Sequence, residues 1–337
     1  MNNSSTRYYI LNEFEDNRIS SGVWNELLCN SGDVIFMTWH WQKAWWETFG
    51  RGQLLLLIAE QNEKPIAIAP LFTDQGMIYL VGSGGSDYLD LIGEVSNKDV
   101  LESMLKLAIN NVSGFLGFCF YHMPESSQTP EKLAEIAKQN GWEYCNDGEM
   151  NSPMLSIKEF PEQAYQSTRK KSLLRHEAYF EKNGGISTIH HQKCEAILPL
   201  LNVFFEQHTE RWKNTGFPGL FIQQQQQLFY RRLVEVISET GWLRFTQVIW
   251  QNRAIAFHFG FNYKGNFLWY KPAFDITLAK HSPGEVLLRQ LLLQAIKEEA
   301  HTFDFGLGDE LFKNRFATNT RKVYNRGLYP KSSVNKK

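Results

Sequence analysis

From Leu243 to Ile249 apolar and polar side chains alternate, the period-2 pattern of a half-buried strand. Gln251-Asn252-Arg253 turns the chain, and Ala254 to Phe261 returns as a second strand. Lys264-Gly265-Asn266 is another turn signal, with a strand over Phe267 to Pro272 behind it. The period then changes. Beyond His281-Ser282-Pro283-Gly284-Glu285, apolar residues stand at Leu287, Leu288, Leu291, Leu292, Ala295 and Ile296, one face of a helix ending near His301. Ser282 at the cap, Pro283 at the first helical position and Glu285 three beyond the cap spell a capping box. Phe303-Asp304-Phe305-Gly306 reads as a short strand entering a glycine-rich loop.

The first half follows the same order. Strands are predicted over Leu54–Ala59, Pro65–Leu71 and Met77–Gly82, then a helix over Asp99–Asn110 and a strand over Phe115–Phe120. Gln61 and Ile66 match Gln251 and Ile255 at separations of 190 and 189 residues (251 − 61; 255 − 66), and Phe115 matches Phe303 at 188 (303 − 115). A repeat that long predicts a duplicated domain. Ahead of it lie a strand at Tyr8–Leu11, a helix at Val23–Leu28 and an aromatic stretch, Phe36–Phe49, with Trp39, Trp41, Trp45 and Trp46. Those rings either pack on a sheet or line a groove. Glu131–Gln139 is a further helix.

Between the copies runs a helical connector. Pro161–Lys182 is predicted as one polar helix carrying Arg169, Lys170, Lys171 and Arg175, which are either a solvated face or an anion grip. Cys194–Lys213 is a second helix, whose apolar face (Ile197, Leu201, Phe204, Phe205) continues to His208 and Trp212. A third spans Gln223–Ser238, beyond the loop Thr215–Gly219.

Composition narrows the class. A length of 337 residues predicts two domains, 1–150 and 151–337, the latter with its connector at 161–240. A hydrophobic content of 43% with 21% charge suits a globular chain, and a net charge of −1 argues against DNA as the main partner. Cys29, Cys119, Cys145 and Cys194 stand far apart, and His190, His191 and Cys194 lack zinc-like companions, so no metal is expected. No signal-peptide pattern opens the chain and no apolar run reaches the roughly 18 residues of a membrane span, so a cytoplasmic setting is expected. Lys313 to Lys337 holds eight Lys or Arg and no Asp or Glu. That is either a solvated end or a surface for phosphorylated donors, tRNA or peripheral membrane contact.

The residues also carry a family likeness. Arg169-Lys170-Lys171 before Asn183-Gly184-Gly185, His208 with Arg211-Trp212 and Gly216, the hairpin Gln251–Ala256, Trp269-Tyr270, Asp275, Ser282-Pro283-Gly284, Asp304-Phe305-Gly306, Gly308 and Phe312-Lys313 stand in a characteristic order. In the first half Trp45, Ile68-Ala69-Pro70-Leu71 and Asp87-Tyr88-Leu89-Asp90 fit as well. The chain, over roughly 36 to 316, resembles the CelD-like acyltransferases of the GNAT superfamily, related to the FemABX aminoacyl transferases. The resemblance implies an α/β (α+β) fold of two tandem GNAT-like domains, each a mixed, mostly antiparallel sheet flanked by helices.

It also implies acyl-CoA as acyl donor, its pyrophosphate held by backbone N–H groups at a helix start. Here that loop is Lys280–Glu285, with His281, Ser282, Gly284 and Glu285 as donor contacts. Glu285 brings negative charge to a place meant for an anion, and the first copy has lost the glycine. Acyl transfer needs a deprotonated acceptor and a proton for the leaving group. His208 and Asp304 are candidate bases, with His258 behind them, and Tyr270 is a candidate proton donor. Asp304 is equally suited to capping the Gly306–Gly308 loop. Arg169, Arg211, Trp212, Lys271 and Lys313 are candidate substrate contacts. The expected reaction is transfer of an acyl group to an amine or hydroxyl of a small molecule or cell-envelope precursor. The alternatives are a FemABX-like enzyme using aminoacyl-tRNA and a non-catalytic accessory protein of polysaccharide synthesis.

Overall fold

The computed structural model describes residues 5–29, 34–213 and 219–331. Gly216, the loop around it, and Lys336 and Lys337 lie outside the described residues. The described strands are β1 (Arg7–Leu11), β2 (Gln53–Gln61), β3 (Lys64–Asp74), β4 (Met77–Leu80), β5 (Ile92–Gly93), β6 (Gly117–Pro124), β7 (Glu143–Ser156), β8 (Ile186–His191), β9 (Leu243–Trp250), β10 (Arg253–Tyr263), β11 (Asn266–Phe274), β12 (Thr302–Asp304) and β13 (Asn319–Tyr329). The chain divides into two compact units, Met1–Asn151 with Arg321–Lys337, and Ser152–Thr320.

In the first unit the strands lie in the order β1-β2-β3-β4-β6-β13. All neighbours are antiparallel except β4 and β6, which run parallel across the helix Lys98–Asn110. In the second unit the order is β8-β9-β10-β11-β12-β7. Again only β11 and β12 run parallel, across the helix Pro283–Lys297. Parallel neighbours need a crossover, and each unit supplies one helix for it.

The duplication is written in the backbone. Asn62 and Glu63 in the first hairpin, and Gln251 and Asn252 in the second, all take positive φ between 50° and 62°. Two consecutive left-handed residues make the tight turn whose twist suits paired strands. A β-bulge follows in each, at Ile66 and at Ile255. Turn and bulge thus share one separation of 189 residues (251 − 62; 255 − 66), so Gln251 answers Asn62 rather than Gln61.

Helix Trp39–Phe49 starts on Thr38, whose hydroxyl accepts from Trp41 N–H, and buries Trp41 and Trp45. The indole of Trp41 donates to Ser86 Oγ (2.9 Å) and that of Trp24 to the Met37 carbonyl (2.9 Å), so these buried rings keep their polar edges satisfied.

Several expectations are corrected. Pro161–Lys182 is two helices, Pro161–Thr168 and Lys171–Lys182. The Thr168 carbonyl accepts instead from Arg289 Nε (3.0 Å), and Lys170 turns extended at ψ 135°. Pro199 places a 3-10 turn, Leu198–Leu200, inside the Cys194–Lys213 stretch. The capping box does not form: Ser282 is left-handed at φ 54° and its side chain makes no cap bond. Its N–H is drawn back to the Ala279 carbonyl by the preceding 3-10 turn. The helix ends at Lys297 rather than near His301. β7, β8 and β13 are strands that the pattern did not predict. β7 contains Asp147-Gly148 and Ser152-Pro153, which read locally as turns and are overridden by pairing. β13 runs through the basic C-terminal segment and pairs with β6, so Arg321 onward belongs to the first unit and not to a 151–337 domain.

Candidate active site

The second unit buries apolar residues on both faces of its sheet. One face meets helix Pro283–Lys297 through Phe267, Trp269, Leu287, Leu291 and Phe303. Phe245, Phe257 and Phe259 pack instead against Phe204 of helix Leu201–Trp212. At the start of helix Pro283–Lys297 the packing leaves a cleft of about 220 Å³. Its walls are Trp269, Pro272 and Phe274 of β11, Leu288 of the helix, and Phe312 and Phe316 beyond β12. Pockets for drug-sized ligands run to roughly 300–1,000 Å³, so this space suits a narrow segment of a larger molecule.

Strand geometry alone would not build that wall. Side chains alternate along a strand, so Trp269 should face opposite to Pro272 and Phe274. Pairing of β10 with β11 slips by one residue between Phe259–Lys271 and Phe261–Leu268, so Trp269 and Tyr270 together oppose Gly260. The extra residue is a β-bulge, and it reverses the facing of everything after it.

Polar groups reach the cleft at three points. Arg211 lines it, donating from Nη1 to the Pro272 carbonyl (3.0 Å), with its guanidinium 4.9 Å from the Phe274 ring centre. Among the described residues no carboxylate lies within ion-pair distance of that guanidinium, and burial holds its pKa below the usual arginine value. Most of its five donors are therefore open to an anion. Ser282 and Gly284 line the helix start, whose first turn lacks a side-chain cap. A Cβ on Gly284 would stand 3.2 Å from the Phe274 ring, so glycine keeps the cleft open here. Glu285 is the third point. Arg315 reaches its Oε1 at 3.4 Å and His176 stands 3.7 Å from its Oε2, an oxygen with no hydrogen-bond partner.

Of the residues singled out from sequence, the structure thus brings Arg211, Ser282, Gly284 and Glu285 together. Trp269 and Phe312 of the family likeness also form its wall, while the other candidate site residues stand off it. His208 is buried against Phe221 (4.8 Å) and Trp212 (6.1 Å), and burial, then Lys271 and Arg211, lower its pKa to about 3. Asp304 is fully buried and accepts from Gly306 N–H (2.8 Å) and Ser152 Oγ (3.3 Å), the loop-capping geometry. Tyr270 faces the other layer, stacked on Tyr230 at 6.3 Å, with Lys271 Nζ 3.8 Å above its ring. Trp212 lies beneath Arg211, its ring centre 5.6 Å from the guanidinium. His281 stacks on Tyr179 at 3.6 Å. Lys313 is buried, donating to the Leu307 carbonyl (2.6 Å) and paired with Glu310, so it shapes the loop after β12. Arg169 is exposed and ends helix Pro161–Thr168. Sequence reading passed over Pro272, Phe274 and Phe316, because the slip that turns the first two inward leaves no mark in local composition.

Comparison with known proteins places this architecture. Residues 167–314 match the acetyltransferase (GNAT) domain. The fold is two GNAT-like units in tandem. FemX is similar over 93% of this chain and 96% of its own (TM-score 0.65, 11% identity). L-PGS from Bacillus licheniformis is similar over 96% and 94% (TM-score 0.59, 14% identity), and a tandem GNAT protein from the clavulanic acid biosynthesis pathway over 96% and 98% (TM-score 0.52, 12% identity). No curated protein matches the chain. Among the described residues no cluster of His, Cys, Asp or Glu could hold a metal ion, and no helix is long and apolar enough to cross a membrane.

Proposed function

We propose that the protein moves an acyl group from an acyl-CoA thioester to an amine or hydroxyl of a small-molecule or cell-envelope precursor, using the cleft of the second unit. The observation that carries this reading is an uncapped helix start, widened by Gly284 and walled by apolar rings, within the segment that matches the acetyltransferase domain. Pro283 has no N–H and those of Glu285 and Val286 bond the Ser282 carbonyl, so it is the positive end of the helix beside Gly284 that favours phosphate, and the apolar wall suits an extended thioester arm. Arg211 is the anion contact of the cleft, taking either a phosphate of the donor or a carboxylate of the acceptor. During transfer the thioester C–S bond breaks and CoA departs as the thiolate, the new C–N or C–O bond forms, and the acceptor's proton passes to a base and from it to the thiolate. With a pKa near 3, His208 is a weak base in this state. Glu285 is the carboxylate on the cleft wall and takes that part in this reading.

Glu285 also favours a second reading. A carboxylate at the helix start opposes a pyrophosphate and suits an ammonium, as on the aminoacyl group of a FemABX-like donor, aminoacyl-tRNA. Thermal stability decides between them. A ligand at 100 times its dissociation constant raises stability by about 2.7 kcal/mol. Stabilisation by acetyl-CoA or longer acyl-CoAs supports the first reading. Stabilisation by aminoacyl-tRNA alone supports the second. No response to either would leave a non-catalytic accessory role in polysaccharide synthesis.

A further inference from the structure

One fully buried histidine has no part in the chemistry above. His258 sits on β10 with no exposed surface, its ring stacked on Trp269 at 5.4 Å and 20°. It lies directly over Gly260, where a Cβ would come within 2.1 Å of its Cε1 and 2.4 Å of the Leu268 carbonyl. Any larger residue at 260 would expel the ring. A bulge leaves a backbone N–H out of the ladder, and a buried N–H without a partner is costly. Here the Tyr270 N–H donates to His258 Nε2 at 3.1 Å. That bond needs a neutral imidazole with its proton on Nδ1, an atom that is buried without a hydrogen-bond partner among the described residues, so the ring takes up an unsatisfied donor in place of the Tyr270 amide. Burial, reinforced by His190, holds the pKa near 3 against the pull of the Leu268 carbonyl, so the ring is neutral.

We propose that His258 is a positioning residue: by accepting the Tyr270 N–H it locks the β11 bulge, and the bulge turns Pro272 and Phe274 into the wall of the cleft. The imidazole works as a fixed acceptor, with Gly260 as the space it needs and Trp269 as the surface it rests on. Arg211 depends on the same device, since the Pro272 carbonyl it grips lies beyond the bulge. The link to ligand binding rests on the cleft being the acyl-donor site; the lock itself does not.

Two measurements separate those layers. In protein carrying ¹⁵N-labelled histidine, long-range ¹H–¹⁵N spectra, assigned by the signal lost in His258→Gln, should show His258 as the Nδ1–H tautomer with an acceptor Nε2 and no titration between pH 8 and 5. An Nε2–H tautomer, donating to the Leu268 carbonyl instead, overturns the proposal whatever the protein's substrate. Next, His258→Gln retains an acceptor and His258→Phe retains a ring without one. With acetyl-CoA and aminoacyl-tRNA as probes, dissociation constants should rise at least tenfold for His258→Phe and by less than threefold for His258→Gln. Equal affinity of both variants and wild type overturns the positioning role. If the wild-type protein binds neither probe, the donor reading fails, and the tautomer with Tyr270 amide exchange still decides the lock: slow exchange supports it, and exchange as fast as in the His258→Phe variant overturns it.

Discussion

The two units share an order of strands and differ where a ligand would enter. In the first, β3 and β4 pair in one unbroken register from Leu71–Leu80 to Asp74–Met77. In the second, β10 and β11 slip at Gly260. The crossover helices differ in the same place. Helix Lys98–Asn110 is closed by Asn97, whose side chain accepts from the N–H groups of Asp99 and Val100. Helix Pro283–Lys297 begins at Ser282 without any side-chain cap. One copy closes its helix start with a side chain, and the other begins without a side-chain cap beside an apolar wall. A duplicated fold can therefore keep the framework in both copies while the helix start beside the sheet differs between them.

Acid offers the largest test of that contrast. His208 and His258 both belong to the second unit, and both fall to about 3 in the fold. A histidine with depressed folded pKa supports the fold fully above its unfolded value near 6.5, and that support is lost as pH falls toward 3. From pH 6.5 to 5 each imidazole should cost about 2 kcal/mol of stability. In the first unit burial raises the Asp90 carboxyl, against hydrogen bonds from Ser127, Thr129 and Leu91 N–H. That group acts oppositely: its contribution is complete below its unfolded pKa and disappears as pH rises through the folded one. Hydrogen exchange at pH 7 and pH 5 should show the second unit loosening first; equal loosening would erase the difference.

A smaller effect comes from filling the cleft. Gly284→Trp should abolish ligand-linked stabilisation, about 2.7 kcal/mol being the value expected for wild type with donor at 100 times its dissociation constant. A preserved thermal shift would move the site elsewhere. Next, Arg211→Gln removes charge-assisted hydrogen bonds worth about 1.5–3 kcal/mol, so calorimetric affinity for the donor or an anionic acceptor should fall about ten- to a hundredfold. Arg211→Lys keeps the charge without the planar fork and should recover only part. The smallest change belongs to the first unit. Asn97→Ala loses a cap and about 1 kcal/mol in chemical denaturation, with donor affinity unchanged. A loss of donor binding there would tie the first copy to the site.

How much of this was legible in the chain depends on range. Hairpins, crossover helices and the repeat were readable, because turns such as Gln251-Asn252 and a helical face such as Leu287, Leu288, Leu291 and Leu292 are set by neighbours in sequence. Arg211 and Gly284 were found as candidates, while Asp304 and Tyr270 stand off the cleft although their motifs looked equally promising. The same tetrapeptide, Ser282 to Glu285, spells a capping box and yet forms an open helix start, because the 3-10 turn before it fixes Ser282 as left-handed.

Alternation, turn chemistry and helical period are local energies, so the sequence by itself determined the hairpins, the crossover helices and their duplication. Tertiary structure decided the facing of β11, the strand identity of the basic segment Asn319–Tyr329, and the placing of the Arg211 guanidinium on the Pro272 carbonyl. A one-residue slip costs little locally but exchanges every side chain between the two faces of a sheet. In the lock proposed above, it is the packing of His258 over Gly260 that selects which of the two registers is formed.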